Sequence, residues 1–280
     1  MNKSENKYYE RFDGFSRFLH LLVIISFLSL AITGMVIKFS GVGAFQTVSR
    51  IMGGYEVTGF IHRTAAIITF MYFFMHIGYL FNKRKNLGLK FKDLLTGENT
   101  LMPQKKDFIE FWQTIKWFLG VGPRPHYGKW TYWEKFDYFA VFWGVTIIGA
   151  SGLILWFPEF FTNLGVPGAV INVATIIHSD EALLATGFIF TFHFYNTHFR
   201  PDKFPMDTVI FTGKVEIEEL EYDRPGEYEI FNRQDNPEEM LSGPPPKWFV
   251  RLSKIFGFTA LTLGIFIIVL IIYSMIFLYR

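Results

Sequence analysis

The sequence predicts an all-α integral membrane protein, a four-helix bundle with a fifth transmembrane helix added. Two observations carry that expectation. Half of the 280 residues are hydrophobic and 34 are Phe, too apolar a composition for a soluble domain of this size. The apolar residues also gather in five runs, 18–39, 59–81, 136–157, 173–199 and 255–279. Each is near the ~20 residues that a helix needs to cross a hydrocarbon core of ~30 Å. Only helices and closed barrels satisfy their backbone groups in lipid, and these runs are too long for barrel strands.

The first segment, Met1 to Arg17, is polar and carries Lys3, Lys7, Arg11 and Arg17. It lacks a short apolar core followed by a small-residue cleavage site, so the first run is expected to be retained. The loop after run one has Arg50 as its basic residue. The loop after run two is strongly basic, with Lys83, Arg84, Lys85, Lys90, Lys92, Lys105 and Lys106. The loop 158–172 has no Lys or Arg, and the segment after run four has Arg200, Lys203, Lys214 and Arg224. This alternation predicts a cytoplasmic N-terminus and, after five spans, an outer C-terminus. Within the basic loop, residues 104–120 repeat apolar positions at helical spacing. They predict an amphipathic helix, either lying on the cytoplasmic membrane surface or packed on protein, ended by Gly122-Pro123-Arg124-Pro125. Residues 214–254 form a polar cytoplasmic segment, a docking surface or a wrap. Val215 to Tyr222 alternates at its start like a short strand or hairpin, and Gly243-Pro244-Pro245-Pro246 is a stiff linker into the fifth helix, 255–280. Residues 1–213 make up the bundle itself.

The net charge of +2 is uninformative, and no nucleic-acid partner is expected. The absence of cysteine excludes disulfides, cysteine-ligated iron–sulfur clusters and thioether-attached haem. A redox cofactor would have to be held by His or Met, or not covalently.

Seven histidines remain, and only His126 lies clearly in a loop. Imidazole in hydrocarbon is costly without a partner, so each intramembrane histidine is a functional candidate. His178 and His193 are fifteen residues apart in run four. On a straight helix that is roughly 22 Å along the axis and about 60° in azimuth. His62 and His76 are fourteen apart in run two, roughly 21 Å and about 40°. Two helices thus offer paired imidazoles at matching depths, and bis-imidazole ligation between helices is how a bundle holds b-type haem. Depth pairs His62 with His178 toward the outside. The inner partner of His193 is His76 by spacing symmetry or His20 by depth. Two haems are expected, with a third as the alternative if spare histidines join. Thr33-Gly34, Gly144, Gly149, Gly152 and Gly187 would let bulky partners approach the backbone. Arg17 and Arg63 could pair with haem propionates or snorkel to the interface. Glu181, one turn after His178, could transfer protons in quinol chemistry, orient His178 or pair with Arg63.

These residues resemble those of the membrane cytochrome b subunits of formate dehydrogenases and nickel–iron hydrogenases. The resemblance is closer to the related bacterial cytochromes b that accompany periplasmic multihaem cytochromes c. It rests on Arg17-Phe18-Leu19-His20, Ile61-His62-Arg63, Trp143-Gly144, Gly152 to Glu159, Ile177-His178 with Glu181-Ala182, His193-Phe194, and Arg200 to Asp207 with Thr212-Gly213. It covers about Arg11 to Gly213 and leaves out the fifth helix. It implies a four-helix haem bundle in a bacterial inner membrane, carrying electrons between a quinone pool and an outer redox partner within a hetero-oligomeric respiratory complex. It also implies the ligand pairs His20 with His193 and His62 with His178. His76 departs from that pattern; the spacing it creates is similar to the cytochrome b of quinol–cytochrome c complexes. The resulting expectation is an electron-transfer subunit. Menaquinone or ubiquinone would bind near Tyr195, Asn196 and His198, and electrons would pass to a multihaem cytochrome c or an iron–sulfur subunit. The rival expectation is a haemless transporter or proton channel using intramembrane His and Glu; neither internal repeats nor midplane helix breaks favour it.

Overall fold

The computed structural model describes residues 7–97 and 99–278; Lys3 and the last two residues of the expected fifth helix, 255–280, lie outside them. The described chain is all-α apart from one small sheet. Strand β1 (Tyr8–Glu10) precedes α1 (Gly14–Lys38), α2 (Gly43–Ile51), α3 (Tyr55–Asn86), α4 (Phe91–Thr96) and α5 (Lys105–Phe118). Then come α6 (Tyr132–Trp156), α7 (Pro158–Asn163) and α8 (Gly168–Phe188), which runs on through two π-helical segments, Ile189–His193 and Tyr195–Phe199. After α9 (Val209–Thr212) follow β2 (Lys214–Glu216), α10 (Ile217–Asp223), α11 (Pro225–Asn232), a 3-10 turn at Pro237–Met240, β3 (Leu241–Ser242) and α12 (Lys247–Tyr273). The helices α1, α3, α6, α8 with its π extension, and α12 with its π end are each long and apolar enough to span a membrane.

Local chemistry sets the boundaries. The last turn of α3 carries Lys83, Arg84 and Lys85, which suit the negative end of the helix dipole, and Gly88 leaves the helix at φ +64°. Helix α5 opens with the Asp107 carboxylate accepting from the Gln104 backbone N–H. Thr131 immediately precedes α6, with Glu134 Oε2 accepting from its backbone N–H at 2.9 Å, and Pro158 starts the next helix. The alternation at Val215 yields a strand only through Glu216. Glu218 and Glu219 then sit in the first turn of α10, where a helix N-terminus favours acids, so of the two expected forms the short strand is present and a helix follows it instead of a hairpin turn.

The chain divides into two compact units. One comprises residues up to Arg17, Gly78–Val141 and Thr208–Ser253. Its sheet has the order β2-β1-β3, antiparallel, with Tyr9 opposite Val215 and Leu241. Val209, Val215 and Leu220 form its apolar centre, with Tyr9, Phe12 and Tyr228 packed on it. Ion pairs hold the rest: Arg224 grips Glu134 with two bonds of 2.6 and 2.9 Å, and Arg11 bonds Glu227 at 3.0 Å. The polar segment 214–254 is therefore tied into this unit by hydrogen-bonded charges rather than by a large apolar core.

The other unit comprises Phe18–Ile77, Phe142–Asp207 and Lys254 onward. Its core joins Ala31, Met35 and Val36 of α1 and Phe39 just after it to Phe45 of α2, Phe190 of the first π segment, Phe194 between the two π segments, and Leu261, Ile267 and Ile271 of α12. The fifth transmembrane helix is thus part of the core. A Cβ on Gly264 would meet Phe190 at 2.5 Å and Phe194 at 2.7 Å, so that glycine is what lets α12 lie against the widened turns of the fourth span.

Candidate functional site

The six histidines of the apolar runs all belong to the second unit, while exposed His126 lies in the first, 3.1 Å from Glu229. His62 on α3 and His178 on α8 come together, with ring centroids 6.1 Å apart and ring planes at 78°. Both rings are fixed through Nδ1. His62 Nδ1 is 2.8 Å from Thr33 Oγ1. That hydroxyl donates to the Ser29 carbonyl at 2.6 Å, so the imidazole N–H donates and the threonine oxygen accepts. His178 Nδ1 is 2.9 Å from the Ile148 carbonyl, which can only accept. In both rings the proton is therefore on Nδ1 and the lone pair on Nε2. Metal-ligating histidines are oriented in this way by a second partner.

The backbone is shaped to the rings. A Cβ on Gly34 would stand 3.5 Å from His62 Cε1, and one on Gly152 would stand 2.9 Å from His178 Cε1. Each glycine follows a buried hydroxyl, Thr33 on α1 and Ser151 on α6, and Ser151 Oγ is itself 3.4 Å from His178 Nδ1. Two hydroxyl–glycine steps thus cradle two imidazoles. A haem iron between them fits. Two metal–nitrogen bonds of about 2 Å and two ring radii of about 1 Å put coaxial imidazole centroids at about 6 Å.

His20 of α1 and His193, the last residue of the first π segment, lie within electrostatic reach of one another. His193 is also within reach of His198. His76 is half-buried on α3. The guanidinium of Arg63 lies over the Trp156 ring at 5.8 Å, and Glu181 is half-buried on α8. Arg17 belongs to the first unit, where its Nη1 donates to the carbonyls of Phe211 and Thr212 at 3.2 and 3.1 Å. Tyr195 is exposed and Asn196 half-buried. His198 is buried, with its ring beside Phe194 and Phe258 and bonded to the Pro205 carbonyl. Its Nδ1 has no hydrogen-bond partner among the described residues. Gly257 of α12 makes room for it: a Cβ there would collide with the Met206 side chain and approach His198 Cε1 to 3.5 Å.

The sequence profile of the prokaryotic cytochrome b561 family matches residues 11–201. The chain belongs to that family. It is a membrane-spanning b-type haem electron-transfer protein, and the haemless transporter is set aside. No curated protein matches it. The match takes in the first four spans of the cytochrome and every histidine on them, and ends before Met206 and α12. The sequence reading missed Ile148, because a carbonyl acceptor leaves no mark in a side-chain pattern. It took Thr33 for a packing residue, although its place directly before Gly34 was the available signal.

Proposed function

We propose that this cytochrome holds two b haems and relays electrons between a membrane quinone, menaquinone or ubiquinone, and a redox partner on the outer side of a bacterial inner membrane. His62 with His178 would hold the outer haem, and His20 with His193 the inner one. The observation that carries the reading is the His62–His178 pair, 6.1 Å apart with both Nδ1 atoms hydrogen-bonded and both Nε2 lone pairs left for a metal. Haem, when bound, supplies reversible one-electron chemistry. The protein's own groups do the rest. Thr33 and the Ile148 carbonyl hold the imidazoles in one tautomer and orientation, and Gly34 and Gly152 keep the space open.

His198 supports the placement of quinone at the His193 end. Its Nδ1 is a buried acceptor with no donor among the described residues, and a quinol hydroxyl would supply one. The distribution of Lys and Arg supports a cytoplasmic N-terminus, which puts His20 and His193 on the inner side. The outer partner is a multihaem cytochrome c or an iron–sulfur subunit, consistent with a hetero-oligomeric complex. Adding menaquinol or ubiquinol anaerobically to the oxidised, purified cytochrome tests the reading. One of the two quinols should reduce its b haem within seconds, seen as growth of the reduced α-band, and His198→Ala should slow this at least tenfold while leaving dithionite-reducible haem unchanged. A fully haem-loaded protein inert to both quinols would refute the quinone assignment.

A further inference from the structure

Helix α5 is inside out for a helix packed on a water-soluble surface. The residues it buries are Asp107, Glu110 and Thr114. Asp107 is paired with Lys135 at 2.8 Å, Thr114 is bonded to the Tyr127 hydroxyl at 2.6 Å, and Glu110 is 3% exposed. The residues it presents outward are Phe108, Ile109 and Trp112, each more than half exposed, and Phe118, Leu119 and Val121 continue the apolar surface at its C-terminal end. A helix that hides its acids and shows its aromatics gains nothing from water.

The charges around this face say what covers it. Residues 83–116 hold eight Lys and Arg against four Asp and Glu, and two of those acids, Asp107 and Glu110, are the buried ones. Lys105 and Lys116 of α5 are exposed, as are Lys90, just before α4, and Lys92 within it, while Lys106 pairs with Glu110 at 3.4 Å. On a helical wheel Lys105 and Lys116 both lie on one side of the arc formed by Phe108, Trp112 and Leu119, between Trp112 and Ile109, one in the first turn of the helix and one in the last. An exposed apolar face with an interfacial tryptophan and a lysine near each end matches the boundary between acyl chains and anionic headgroups. We infer that α5 is an in-plane anchor, with its aromatic face in the acyl region of the protein's own bilayer and its lysines on anionic lipid phosphates. A second copy or a protein partner covering the same face is the competing outcome.

The chain has no cysteine, so single labels can be placed without other changes. Spin labels at Phe108→Cys and at Gln113→Cys, five residues on and about 140° round the helix, would be read in nanodiscs of anionic phosphatidylglycerol or zwitterionic phosphatidylcholine. Both positions are exposed, so the fold should tolerate the changes. The expected result is a label at 108 relaxed by oxygen and at least tenfold less by a water-soluble nickel chelate, with the reverse at 113. The label at 108 should sit deeper in anionic discs, and Lys105→Gln with Lys116→Gln should abolish that difference. Equal access of the chelate to both labels would overturn the anchor, and so would shielding of the 108 label from both reagents, which is the mark of a protein cover. Equal depth in the two lipids would overturn the headgroup assignment.

Discussion

Thr33→Val tests the outer site without touching a proposed ligand. Thr33 is fully buried, and valine has nearly its shape, so the change removes one oxygen and leaves no cavity. That oxygen is the acceptor for His62 Nδ1–H at 2.8 Å. Its loss strands a buried N–H, at about 1–3 kcal/mol, and frees the ring to rotate. Loss of such an outer partner typically weakens metal binding about 10–100-fold, which is about 1.4–2.7 kcal/mol. The ligand also becomes less basic, and the ferric state suffers more than the ferrous. A difference of about 1 kcal/mol between the two states raises a one-electron midpoint by about 40 mV. The assay is an optical redox titration of the purified variant beside wild type, with haem content measured on the same samples. One of the two b components should move up by tens of millivolts, or be partly lost, while the other stays. If both keep their wild-type potentials at full occupancy in a variant that purifies normally, Thr33 does not orient an axial ligand and the site is wrongly drawn.

Three further outcomes follow from the structure. Gly152→Ala puts a methyl 2.9 Å from His178 Cε1, an overpacking cost of about 1–3 kcal/mol; its haem-to-protein ratio should fall toward one, whereas Gly187→Ala, with open space around it, should leave the ratio unchanged. Arg224→Ala leaves Glu134 without the bidentate bonds of 2.6 and 2.9 Å. It should destabilise the first unit by about 3 kcal/mol, seen as faster limited proteolysis between residues 214 and 245 with the haem spectrum retained. Burial pushes the Glu110 carboxyl above its ordinary value of 4.5, so the folded protein holds a proton that the unfolded chain releases. Stability should then fall as pH rises from 4.5 through the raised value, and Glu110→Gln should flatten that fall in thermal melts. An unchanged slope would show that the carboxyl is not held protonated.

The parts of this protein that were legible in the sequence are those set by lipid. Five runs of the right length read as five helices because backbone groups in hydrocarbon have few other solutions. The His62–His178 pairing was legible because depth along a straight helix is linear in residue number. The same arithmetic breaks down past Phe188, where two π segments widen the turns. No hydropathy pattern marks where i→i+5 bonding begins, so the azimuth of His193 relative to His178 could not be read from spacing. The fifth helix looked like an appendage because its runs of Ile and Leu carry no chemistry. Its seven-residue step from Gly257 to Gly264 puts two glycines on one face, and that was the sign that it packs against Met206, Phe190 and Phe194. The burial of α5 was illegible for a different reason: amphipathicity gives two faces but does not say which one meets protein.

The most direct test of the central claim is the haem-to-polypeptide ratio by pyridine haemochrome in five single variants: His20→Ala, His62→Ala, His76→Ala, His178→Ala and His193→Ala. Wild type and His76→Ala should each hold two haems, and each of the other four variants one. His62→Ala and His178→Ala should lose the same spectral component, and His20→Ala and His193→Ala the other. Two haems persisting in His62→Ala or His178→Ala, or one lost in His76→Ala but not in His20→Ala, would contradict the claim.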